Sequence, residues 1–161
     1  YYSVRKFRSI LGVPTVDNMC GHCELCVNSG GVLLWDGKDC RVVRVEDADY
    51  PGFCRVIWRD HIREMTDLMP SQRSSIMEVV FGVELVVRQL FLPHKINLAS
   101  FGNMTPHLHW HVIPRWTDDR HFPEPIWGKT HQLKLPERNK VSDETLALEL
   151  KNHFLRENIH G

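Results

Sequence analysis

An α+β domain is what the order of elements in this 161-residue sequence predicts. Three observations carry that reading: a β-rich first half broken by Gly, Pro and Asp turns, one long stretch with apolar residues at spacings of three and four, and a return to alternation after it.

Taken in order, Ser29-Gly30-Gly31 is a turn, and residues 32–35 and 41–45, separated by a break at Asp36-Gly37, read as a short hairpin. Tyr50-Pro51-Gly52 makes a second turn into a third strand over 53–58, rich in β-branched and aromatic residues, with His61 just past its end. Pro70-Ser71 supplies a stop and an N-cap, after which Ile76, Val80, Val83, Val87, Leu90 and Phe91 form the buried stripe of the main amphipathic helix. Phe81 and Leu85, four apart and off that stripe, are expected to form an exposed apolar pair that a partner subunit would cover.

Pro93 closes the helix, residues 95–101 read as a strand, Gly102-Asn103 turns the chain, and 107–113 alternates as a final strand ending at Pro114. A Pro- and Trp-rich stretch precedes a C-terminal helix, opened by Ser142 with Asp143 and Glu144 and running to about Arg156. Residues 1–18 show no period and are set aside as an extension; 19–161 are expected to form a single domain with the C-terminal helix.

Lys and Arg total 20 and Asp and Glu total 20, so the zero formal charge argues against a dedicated nucleic-acid binder. The longest apolar stretch, 79–92, carries Glu84, Arg88 and Gln89 and is too short and polar to span a bilayer. With no leader-like segment in view, the cytoplasm is the expected compartment. Three of the five cysteines crowd into Cys20-Gly-His-Cys23-Glu-Leu-Cys26, a spacing that suits a metal or free thiols better than a disulfide framework. Cys40 and Cys54, in strands beside apolar residues, are assigned to packing.

Of the ten histidines, three alternate in His107-Leu108-His109-Trp110-His111-Val112-Ile113. A period of two places the three imidazoles on one face of a strand and Leu108, Trp110 and Val112 on the other. A shared three-histidine metal site is disfavoured, because strand rise separates the first and third Cα atoms by roughly 13 Å. Idle surface histidines are disfavoured too, since alternation with large apolar residues implies a partly buried sheet whose imidazoles need partners. Adjacent, partly desolvated imidazoles resist joint protonation, so a neutral nitrogen is available as a nucleophile toward phosphorus. A neighbouring imidazole can then protonate the leaving group, and Asn103 and Arg115, at the two ends of the strand, are placed to hold phosphate oxygens.

These residues resemble the histidine triad family, whose pattern of His-x-His-x-His followed by apolar positions is met by Leu108, Trp110, Val112 and Ile113. The resemblance runs from about Cys23 to Arg115 and takes in Pro51-Gly52, the third strand, His61, the helix and Gly102-Asn103. It implies a fold with a five-stranded antiparallel sheet, a homodimer, and transfer or hydrolysis of nucleotidyl groups through a nucleotidyl-histidine. Carried over by position, His109 would be the nucleophile, His111 would contact the phosphate or leaving group, and His107 would support the row. Asn103 resembles the family's phosphate-holding amide, although its loop to the first histidine is shorter than in the best-known branches. The ribose-binding acid would be Asp47 or Glu46, with a solvated acidic turn as the bland alternative.

In zinc-containing members a Cys-x-x-Cys pair joins two histidines, here Cys23 and Cys26 with His61 and His107, in a closed structural site; unliganded thiols, or competition from Cys20 and His22, are the alternatives. No cofactor is needed for the covalent route. Trp127 is assigned to ordinary surface packing, although family C-terminal segments can reach the active site in the dimer. The expected activity is cleavage of a nucleotide phosphoramidate or phosphoanhydride. The alternatives are a nucleotide- or zinc-binding interaction module with little turnover, and a metallohydrolase.

Overall fold

The computed structural model describes residues 23–161; the readings made of residues 1–18, Cys20 and His22 lie outside the described residues. Five strands form one sheet in the order β1-β2-β3-β5-β4, with β1 at Val32–Asp36, β2 at Cys40–Arg44, β3 at Cys54–Trp58, β4 at Lys95–Ala99 and β5 at His109–Arg115. Every pairing is antiparallel. Among the described residues three α-helices accompany them: a single turn α1 at Glu24–Val27, the long α2 at Pro70–Phe91 and the C-terminal α3 at Asp143–Arg156.

The α3 boundaries match the sequence signals, and the Ser142 hydroxyl accepts the Thr145 amide hydrogen at 3.2 Å as a side-chain cap. The start of α2 differs from expectation. Ser71 is not its cap: Pro70 occupies the first helical position, where its missing N–H costs nothing, and the Gln72 side chain accepts the Met69 amide hydrogen at 2.8 Å. Leu92 ends the helix in a left-handed conformation, φ 50°, just before Pro93.

Strand alternation divides the sheet into two faces. Leu34, Val42, Cys54, Val56, Trp58, Leu108 and Val112 point to one face and are buried against Ile76, Val79, Val80, Val83 and Val87 of α2 and Leu146, Leu150 and Phe154 of α3. This is the main core, and Cys40 and Cys54 belong to it with thiols pushed up to about 12 by burial, as packing residues would be. The expected exposed pair is present: Phe81 and Leu85 are 51% and 40% accessible on the outer side of α2.

The opposite face carries Val43, Ile57, His109, His111 and Ile113. Its two ends are closed by smaller clusters, one of Cys23 and Leu25 with Val43 and Ile57, the other of Tyr50 and Phe53 with Ile113. The turn feeding β3 is tight. Phe53 donates its amide hydrogen to the Tyr50 carbonyl at 3.0 Å across Pro51-Gly52, and Gly52 has φ 87° with Phe91 so near that a Cβ would lie 2.7 Å from its ring.

The last strand also departs from expectation, running through Pro114 to Arg115 rather than stopping at the proline. β3 pairs with β5 only as far as Val112, so Pro114 lies past the end of that ladder and faces a partner, Ile96, on the other side alone.

Candidate active site and metal cluster

β5 places His109 and His111 side by side on the sheet face away from α2 and α3, with ring centroids 4.8 Å apart. His107 lies just before the strand and is wholly buried. Backbone contacts hold this approach in place: Leu108 donates to the Ile62 carbonyl at 2.6 Å, and Trp58 donates to the Leu108 carbonyl at 3.0 Å.

Each imidazole has a distinct set of partners. His107 Nε2 lies 2.7 Å from the Trp58 carbonyl oxygen and must donate to it, which leaves the lone pair on Nδ1. That nitrogen faces sulfur, 3.6 Å from Cys23 Sγ and 3.5 Å from Cys26 Sγ. His109 Nδ1 lies 2.6 Å from the His107 carbonyl oxygen, so its hydrogen is there and the lone pair is on Nε2. Ser100 steadies the strand by donating its hydroxyl to the His109 carbonyl at 2.8 Å.

All three imidazoles are held below their usual pKa, chiefly by burial. His107 is opposed in this by its bond to Trp58, His109 by its bond to His107, and His111 falls to about 3 through burial, His109 and Arg55. The row is therefore neutral at pH 7, the state in which an imidazole nitrogen can attack.

His109 and His111 open into a cleft of about 680 Å³ whose walls come from four parts of the chain. The 101–105 loop supplies Phe101 and Asn103, β3 supplies Arg55, α1 supplies Glu24, and the segment after β5 supplies Trp127. Asn103 thus lines the same cleft as His109 and His111. Trp127 is not a surface-packing residue: its ring lies 5.4 Å from His111 and 5.1 Å from Phe101, edge-on to both, while remaining 56% exposed. Arg55 and Phe101 were not singled out from the sequence. The strand period offered a signal for Arg55, since a charged residue in a β-branched run is the one that must face something polar.

Three expected residues fall elsewhere. Glu46 is exposed, and Asp47 accepts the Asp49 amide hydrogen at 2.9 Å within its own turn; neither lines the cleft. Arg115 shares the face of the row but is buried at its far end, where it binds Asp119 through Nε at 2.7 Å and a second nitrogen at 3.0 Å. It also donates to Asn97 and to the Glu124 carbonyl, each at 2.7 Å. Asp119 in turn accepts from the Tyr50 hydroxyl and from the amides of Trp116, His121 and Phe122. Burial alone would raise its pKa, but the hydrogen bonds from Arg115 and the backbone outweigh that and hold it low. Arg115 therefore anchors the segment that carries Trp127, with four of its five N–H donors committed to protein and its side chain only 2% exposed.

The cysteine pair and two histidines do converge. One ligand atom each from Cys23, Cys26, His61 and His107 fit within 4.8 Å of one another, with Cys26 Sγ 3.4 Å from His61 Nδ1. A tetrahedral zinc with Zn–S near 2.3 Å and Zn–N near 2.05 Å requires sulfur-to-nitrogen edges of about 3.5 Å, which three such edges match: 3.6 Å and 3.5 Å from His107 to Cys23 and Cys26, and 3.4 Å from His61 to Cys26. The Trp58 carbonyl supplies the outer hydrogen bond that a metal-bound imidazole needs. Of the triad only His107 joins this cluster, so the row is not a three-histidine metal site.

With this geometry in view, comparison with known proteins is direct. The HIT domain family matches residues 29–118, more than half of the chain. An AP-4-A phosphorylase of Mycobacterium tuberculosis is 29% identical over 84 residues, which are 48% of this chain and 43% of that protein's length. The chain thus matches less than half of that curated relative. A histidine triad protein from Bradyrhizobium japonicum superposes with TM-score 0.60 at 27% identity, covering 83% of this chain and 93% of that one. A Zn-bound histidine triad family protein from Mycobacterium smegmatis shares the fold, with TM-score 0.57, 19% identity, and 87% and 98% coverage. Among the described residues no helix is long and apolar enough to cross a membrane. On the family match, the sheet order and the histidine row together, the chain belongs to the HIT domain family.

Proposed function

We propose that the protein is a nucleotidyl hydrolase or transferase that works through a covalent nucleotidyl-His109. The observation that carries this reading is the 2.6 Å bond from His109 Nδ1 to the His107 carbonyl, which leaves the Nε2 lone pair on a neutral ring that lines the cleft. Attack by Nε2 forms an N–P bond as the bond from phosphorus to the leaving group breaks, and the leaving group takes the electron pair. Water then attacks the same phosphorus, restoring the imidazole and releasing the nucleotide. Asn103, in the cleft wall, would hold a phosphate oxygen, and Trp127 and Phe101 would give a nucleoside apolar walls. Among the expected substrates, phosphoramidate and dinucleoside polyphosphate, the AP-4-A phosphorylase relative favours the second.

Cys23, Cys26, His61 and His107 fit a zinc ion, which the Mycobacterium smegmatis relative's Zn-bound state supports. Bound there, it would be closed off by protein ligands and would join the N-terminal segment to the sheet rather than take part in the reaction. The face bearing Phe81 and Leu85, with the free edge of β4, is where a second copy would pack in the expected homodimer.

The test is mass spectrometry after brief incubation with a dinucleoside polyphosphate or an adenosine phosphoramidate, quenched without acid because the N–P bond is acid-labile. A nucleotidyl adduct in the wild type and none in His109→Ala is expected. An unchanged rate in His109→Ala would sink the reading.

A further inference from the structure

The reaction just described gives Arg55 nothing to do, yet its position is a costly one for an arginine. It sits on β3 directly opposite His111 in the β3–β5 ladder, which puts both side chains on the cleft face with Cβ atoms about 5 Å apart. Among the described residues that line the cleft, it is the one permanent cation. Among the described residues its buried Nε has no hydrogen-bond partner, and its one side-chain hydrogen bond runs to the Gly30 carbonyl at a long 3.3 Å.

Five other arginines are treated differently, while Arg41 and Arg73 spend their donors on backbone carbonyls. Arg44, Arg59, Arg115, Arg120 and Arg138 each hold an aspartate, whereas among the described residues no carboxylate comes within ion-pair distance of Arg55. Its guanidinium lies 5.9 Å from the Phe53 ring centroid, a contact that steadies a planar cation without consuming its N–H groups. A half-buried guanidinium with unused donors beside a cleft is suited to an incoming anion, and phosphate oxygens match its fork.

We propose that Arg55 binds a second phosphate of the substrate, distinct from the one His109 attacks. This rests on the nucleotide reading above and sharpens it: the preferred substrate carries at least two phosphates, either linked in a chain or placed on the chain end and the sugar. In the ladder Arg55 faces His111 whereas His109 faces Ile57, so the guanidinium stands one cross-strand pair along from the attacking imidazole. The burial that weakens the hold of Arg55 on its proton also strengthens any pairing with an anion that enters.

Isothermal titration of the full chain with AMP, ADP, adenosine 3′,5′-bisphosphate and inorganic pyrophosphate tests this. At least one two-phosphate nucleotide is expected to bind the wild type about tenfold or more tightly than AMP, the range of a charge-assisted pair. That gain should vanish in Arg55→Gln and be largely kept in Arg55→Lys. A gain confined to ADP places the second phosphate in the chain, and one confined to the bisphosphate places it on the sugar. No gain with either, or a gain that survives in Arg55→Gln, overturns the proposal. Pyrophosphate separates the two readings: binding lost in Arg55→Gln supports the role of Arg55 even if no adduct forms on His109. Equal binding to both proteins, with neither nucleotide gaining, overturns that role even if the adduct is found.

Discussion

The carbonyl oxygen of His107 lies 2.6 Å from Nδ1 of His109, so the residue whose ring faces Cys23 and Cys26 sets the tautomer of its neighbour with its backbone. Ring and carbonyl of His107 thus serve different halves of the site. In His107→Ala the carbonyl persists while the ring is lost. Zinc content by plasma mass spectrometry is expected to fall from about one per chain toward zero, with turnover down about 10- to 100-fold, the usual range for supporting partners of a site. His109→Ala is expected to keep its zinc and lose about a thousandfold or more in rate.

Acid will test the neutral row through stability. His111 is held at about 3, against 6.5 for a free histidine, by burial, then His109 and Arg55. Between those values the unfolded chain binds a proton that the folded chain refuses. Stability from this residue is therefore complete above about pH 6.5 and declines toward pH 3 by about 1 kcal/mol per pH unit. Urea midpoints at pH 7.5, 5.5 and 4.5 should show a steeper acid decline in the wild type than in His111→Gln.

The Arg115–Asp119 pair is nearly inaccessible, with side chains 2% and 1% exposed. Asp119→Ala removes a carboxylate that receives two nitrogens of Arg115, the Tyr50 hydroxyl and three amides. A loss of about 3 to 5 kcal/mol is expected, because a buried guanidinium is left uncompensated. Chemical denaturation followed by tryptophan fluorescence measures it.

Trp127 and Phe101 meet edge-on over His111. Removing the indole in Trp127→Ala should raise KM about tenfold, with kcat changed less than about threefold, since a wall is lost and the reacting groups are kept. Steady-state kinetics with a dinucleoside polyphosphate distinguishes this from an equal fall in kcat.

The sheet, its two flanking helices and the histidine row could be read along the chain because each depends on local periodicity: alternation in 107–113, the three- and four-residue spacing in α2, and the Ser142 cap of α3. What could not be read depends on which segments meet. Arg115 looked like a phosphate ligand as long as Asp119 and Glu124 were only neighbours in sequence; the turn that follows β5 folds both back onto it. Trp127 looked like surface for the same reason, since nothing local shows that its segment returns to His111. The proline in β5 misled because its cost depends on where β3 begins, at Cys54, a property of a strand some sixty positions away.

Cys23 and His107 lie 84 positions apart and Trp58 and His107 49 apart, so the cleft face is built from some of the longest-range contacts in the chain. Such contacts close late in folding, after the hairpin of β1 and β2 and the turn-to-helix segments have formed from nearby residues. An ion gripped by Cys23 and His107 would act on this order as a cross-link does. By chain-entropy reasoning, closing a loop of that length disfavours the unfolded ensemble by about 4 to 5 kcal/mol. Refolding in the presence and absence of zinc would then differ most in the rate at which the N-terminal segment closes over the sheet, and a chain made without the ion would be slowest to complete the face that carries the histidine row.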